Sequence, residues 1–126
     1  MTADELVTIE LTEEERQVLS RALHEWAGPA HCTEALAVAM GFGGVADLLA
    51  EGSRMRPLIR AGEPLSRRDW RRALISAEIV FASDVFGSGI DWSIATGLSD
   101  EETIQILRPL QRKIARVARI HQLSEA

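Results

Sequence analysis

Three helix starts are written into this chain more firmly than any other element: Thr12 with Glu15, Ser66 with Asp69, and Ser99 with Glu102. Each pairs a hydroxyl able to take a first-turn backbone N–H with an acid three residues on that can return the bond. Behind each runs an apolar stripe at spacings of three and four. The first is Val18, Leu19, Ala22, Leu23 and Trp26; the second is Trp70, Ala73, Leu74, Ala77, Phe81 and Val85. The third, Leu107, Leu110, Ile114, Val117 and His121, specifies a packing seam over two heptads. Capped amphipathic helices bury their stripes against one another, so the expected fold class is all-α. We expect an irregular or orthogonal bundle of about five helices.

The remaining two helices are weaker. One runs from Thr33 to Gly41, and one lies near Val45 to Ala61, where Pro57 predicts a kink or break beside Arg56. Pro109 predicts the same within the last helix. The fourth helix turns apolar nearly all round after Ala77, which places it at the centre. Only Val7 to Leu11 alternates with period two, and no second segment does so as cleanly. Residues 1–11 are therefore expected as an extended arm; the alternative is pairing with a second copy in a homodimer. At 126 residues the chain fits one domain, 1–126.

Charge is segregated. Residues 1–51 hold ten acids against Arg16 and Arg21, and residues 52–76 hold seven arginines against Glu63 and Asp69. Residues 77–102 hold six acids and no base, while residues 103–126 hold five bases against Glu125. Such blocks pair within one fold or across a dimer. The net charge of −5 disfavours nucleic acid as a partner. An acidic N-terminal stretch, no apolar run of membrane-spanning length and the single Cys32 lead to the expectation of a cytoplasmic protein without a leader or membrane span.

The candidate contact site is the glycine-bounded insert Phe86 to Leu98, FGSGIDWSIATGL, which interrupts the most apolar run. Gly87-Ser88-Gly89 follows a helix and lacks both the third glycine and the Gly-Lys-Ser/Thr ending of a phosphate loop. Asp91 and Trp92 are the candidate docking pair; Trp92 is either an exposed anchor or a lid folded over the core. Ile90 to Ile94 alternates and reads as extended. Glu78 and Asp84 sit on the apolar fourth helix and need partners there, either arginines of the last helix or, for Asp84, the following loop. They point in directions too different to share a metal. His24, His31 and Cys32 match no zinc signature, and no cofactor or metal is expected. Residues 36–42 resemble the start of a DNA-reading helix-turn-helix, but Asp47 falls where the second helix needs an apolar residue. On the last helix Arg108, Arg112, Arg116 and Arg119 form a basic stripe, a solvated face or a surface for an anionic partner.

The stretch VFASDVFGSGIDWSIATGLSDEETIQILRPLQRKI, Val80 to Ile114, resembles a family of small helical proteins of high-GC actinobacteria. The resemblance implies a bacterial cytoplasmic setting and no particular reaction. The expected function is a non-catalytic protein-interaction or regulatory module acting through the 86–98 insert and the last helix. The candidate contact residues are Asp91, Trp92, Asp84, Glu78, Arg112 and Arg116. The competing class is a small-ligand binder or enzyme with a carboxylate-containing pocket between the fourth and last helices. An immunity or antitoxin-like protein is a third.

Overall fold

The computed structural model describes residues 5–28, 30–83, 86 and 91–118, without the side chains of Asp91, Ile94 and Ala95. Among them lie six helices: α1 (Glu13–Glu25), α2 (Glu34–Ala39), α3 (Val45–Arg60), α4 (Arg67–Ala82), α5 (Asp91–Thr96) and α6 (Asp100–Ala118). A two-residue antiparallel pair, β1 (Leu6–Val7) with β2 (Leu65–Ser66), completes the architecture. The protein is an all-α bundle with a short extended N-terminal segment.

The helix starts form as their chemistry requires. Thr12 Oγ1 accepts the Glu15 N–H at 3.1 Å, while Glu15 Oε1 accepts the Thr12 N–H at 2.8 Å. Ser99 and Glu102 make the same reciprocal pair at 3.1 and 3.0 Å. Ser66 Oγ caps α4 through the Asp69 N–H at 3.1 Å, but the Asp69 carboxylate turns instead to two arginines. Acids of the first turn also meet the positive end of the helix dipole. Thr12→Ala is expected to cost about 1 kcal/mol. A chemical-denaturation midpoint that falls with an unchanged slope checks this.

Neither proline breaks its helix: α3 continues through Pro57 and α6 through Pro109. Each proline withholds one backbone N–H, but packing of the apolar face holds the helix across the gap. The helix partners also differ in part from expectation. α4 packs against α1, α3, α6 and β2, whereas α1 packs against α3, α4 and α6, so the two share the centre. Val18, Leu19, Leu48, Met55, Ile59, Trp70, Leu110 and Ile114 are all within 2% of full burial in one common core. The α6 seam runs Thr103, Leu107, Leu110, Ile114 and Ala118, with Val117 only half-buried. A straight helix repeats every 3.6 residues, so its buried line drifts from the heptad by the fourth turn. His121 lies outside the described residues.

The N-terminal segment is not a free arm. Leu6 and Val7 pair with Ser66 and Leu65, and the Val7 carbonyl accepts the indole N–H of Trp70 at 2.9 Å. At two residues, β2 is too short to show alternation in the sequence. Among the described residues the charge blocks pair within the chain, and Arg54 Nη2 meets Glu51 Oε1 at 2.9 Å inside α3. Lys113 Nζ meets Glu15 Oε1 at 2.7 Å across α6 and α1, and Arg72 Nη2 meets Glu51 Oε1 at 2.8 Å across α4 and α3.

Candidate functional site

The 86–98 insert is built differently from its sequence-based expectation. The stretch read as extended carries the short helix α5, ended by Gly97 at φ 77°. A β-branched or bulky residue in that left-handed region would be strained. Trp92 is 0% exposed, which corrects the reading of it as a surface anchor. Its ring meets Phe81 edge-on, with centroids 5.8 Å apart, and its Nε1–H donates to Thr103 Oγ1 at 2.7 Å. Thr103 is itself fully buried, and its hydroxyl donates to the Ser99 carbonyl at 2.8 Å. The tryptophan therefore locks α5 to α4 and α6, as the lid alternative required. Asp84 and the Asp91 side chain lie outside the described residues.

The other candidates sit along α4 and α6. The two helices run antiparallel: Arg67 Nε donates to the Val117 carbonyl at 3.0 Å, and Gln111 Nε2 donates to Glu78 Oε2 at 2.6 Å. The partner of Glu78 is thus on the last helix, as expected, but it is an amide rather than an arginine. Arg112 and Arg116 are exposed on α6.

Between α4 and α6, closed at one end by the turn after α2, lies an open groove of about 370 Å³. Its apolar surface comes from Met40, Leu74, Ile75, Ile114 and Ala118. Its polar surface is Arg68, Arg71, Arg72 and Glu78. Ile75 is 37% exposed on α4, beside the half-buried Arg71, Leu74 and Glu78. Gly41 belongs to the wall: its φ is 105°, and a Cβ there would stand 3.0 Å from Arg72 Cγ.

The three arginines have different work. Arg72 is structural: it is buried, stacks its guanidinium 4.8 Å above the Phe42 ring, and binds Glu51 and Asp69. Arg54 bridges the same two acids, to Glu51 at 2.9 Å and Asp69 at 2.8 Å. Hydrogen bonding from Arg54, aided by Arg72, holds the Glu51 carboxyl below its ordinary range. Burial pushes the Asp69 carboxyl up, but the two guanidiniums outweigh it and hold it down. Among the described residues Arg71 has no such acid. Its Nη1 is buried without a hydrogen-bond partner among the described residues. Burial, then the neighbouring Arg68 and Arg72 charges, pull its pKa down.

Sequence reading missed this rim because Arg67-Arg68-Asp69-Trp70-Arg71-Arg72 looks like a solvated charge run. The available signal was Arg68 and Arg71 at helical spacing, beside Leu74 and Ile75 on the same face. Among the described residues, no group of three His, Cys, Asp or Glu side chains is placed to hold a metal. No described helix is long and apolar enough to cross a membrane. Comparison of the chain with protein-family models, curated proteins and solved structures gives no match.

Proposed function

We propose that the protein is a non-catalytic interaction module whose contact surface is the α4–α6 groove, and that its partner is a protein segment carrying apolar and acidic side chains. The observation behind this reading is Arg71, a half-buried cation with an unpartnered Nη1 at the edge of an apolar groove. A buried donor without an acceptor costs free energy that an incoming carboxylate recovers. The apolar floor supplies the area that an aliphatic side chain needs, and Arg68 adds a second charge at the rim. In this reading the last helix forms one wall of the contact surface, while the insert supports the groove indirectly by bracing α6 through Trp92 and Thr103. A bacterial cytoplasmic setting goes with this reading, as do the lone thiol and the resemblance of residues 80–114. Cys32 is a poor nucleophile, since burial and then Glu34 push its pKa up.

The small-ligand alternative draws on Glu78, a half-buried carboxylate in the same groove. Its oxygen already accepts from Gln111 at 2.6 Å, which gives it a structural task. A homodimer would use a second copy of the chain as the partner. The test is binding of a synthetic amphipathic peptide with leucines on one face and glutamates along its edge. Arg71→Glu is expected to weaken it at least tenfold, because an attraction becomes a repulsion. Equal binding by this variant, or none by the native chain, contradicts the reading. Light scattering on the native protein separates self-association from it.

A further inference from the structure

A second concave surface lies on the far side of α1 from the core, against α3. It encloses about 630 Å³ and is lined almost wholly by polar groups. Glu13, Arg16, Gln17, Ser20, Arg21 and His24 stand at helical spacing down one face of α1, and Arg56 and Arg60 face them from α3, one turn apart. Four guanidiniums converge there against one carboxylate, in a protein whose net charge is −5. Arg16 Nη1 donates to the Leu11 carbonyl at 3.0 Å. Arg56 Nε is buried and has no hydrogen-bond partner among the described residues. Arg21 and Arg60 are exposed, and neither makes a salt bridge to a described acid.

We infer that the cleft between α1 and α3 is a binding site for a small polyanion bearing two or more phosphate groups on a polar body. Clustered cations repel one another and weaken the fold unless an anion sits between them. Guanidinium is the group best matched to phosphate, because its planar fork gives two parallel hydrogen bonds to two oxygens. Its reach from two helices favours several phosphates over one. The cleft has no Phe, Tyr or Trp in its lining, which leaves His24 as the one ring against which a nucleobase could stack, and it has no apolar floor for an acyl chain. Ser20 and Gln17 supply neutral hydrogen-bonding groups suited to hydroxyls on the ligand, and His24 adds its ring nitrogens. The volume lies within the range of small-molecule sites. The site is separate from the α4–α6 groove and shares no lining residue with it.

Calorimetric titration with inorganic tripolyphosphate tests the inference, with inorganic phosphate and a single-stranded oligonucleotide as parallel probes. The expected result is one saturable site for tripolyphosphate, at least tenfold tighter than phosphate. Affinity should fall with added salt and fall at least tenfold further in Arg56→Gln/Arg60→Gln. Arg112→Gln, on the exposed face of α6, should bind as the native chain does. The double variant relieves repulsion and should melt no lower than the native protein, so a loss of binding is not a loss of folding. Absent saturable binding, or equal binding by the double variant, overturns the inference. So does an oligonucleotide that binds more tightly than tripolyphosphate through the same arginines, since the ligand would then be a nucleic-acid backbone.

Discussion

Trp92→Ala is expected to destabilise the fold by about 3–5 kcal/mol, the cost of removing a large aromatic from a packed interior. The ring is fully buried, edge-on to Phe81, and its indole N–H is spent on a buried hydroxyl. Truncation would open a cavity between α4, α5 and α6 and leave Thr103 without its donor. Denaturant unfolding of the purified variant checks the figure. A change below about 0.5 kcal/mol, the range of ordinary surface substitutions, would return Trp92 to the surface and the docking role to the insert.

The second large effect concerns Asp69. Asp69→Asn is expected to cost about 2–4 kcal/mol at neutral pH, somewhat less than the loss of a fully isolated buried partner. The discount reflects Glu51, which remains to hold both arginines, and Arg54, which is 43% exposed. The effect has a definite pH dependence. The carboxyls of Asp69 and Glu51 are held below their unfolded values, so their contribution is present above the ordinary carboxylate range of about 4. It is lost as pH falls through the lower folded values. The difference between native chain and variant should therefore be largest near pH 7 and shrink in acid. A difference independent of pH would assign the loss to packing rather than to the ion network.

Much of the fold was legible because helices announce themselves locally. Thr12, Ser66 and Ser99 mark three starts within one turn of sequence, and the buried stripes follow from 3.6-residue spacing. Two-residue strands offer no period to read, and the six residues of α5 fit alternation as well as a helix, whereas the equally short α2 is marked by its Thr33 cap. The partner of Val7 is Leu65, fifty-eight positions away, and nothing near either residue points to the other. The misplacement of Trp92 has the same origin. Its neighbours Asp91 and Ser93 are polar, and its burial depends on Phe81 and Thr103 in two other helices. Asp69 shows how a local rule is outcompeted: a capping-box acid is drawn off by guanidiniums of Arg54 and Arg72 that offer charge-assisted bonds.

The candidate site was legible by region rather than by residue. A carboxylate-containing pocket between the fourth and last helices was the competing expectation, and the groove there is lined by Glu78, yet Arg112 and Arg116 are exposed outside it and its arginines come from α4. Spacing alone separates two faces of a helix but does not say which becomes concave. That depends on Met40 and Gly41, brought in by the turn after α2.

On the proposed reading the α4–α6 groove is the contact surface. Its most direct test is an amide NMR titration of the native chain with the leucine–glutamate peptide, repeated on Arg71→Glu. Saturable shifts are expected at Arg71, Ile75, Ile114 and Ala118, and the variant should lose them. Shifts confined to Arg56, Arg60 and the facing side of α1, or no shifts at all, would contradict it.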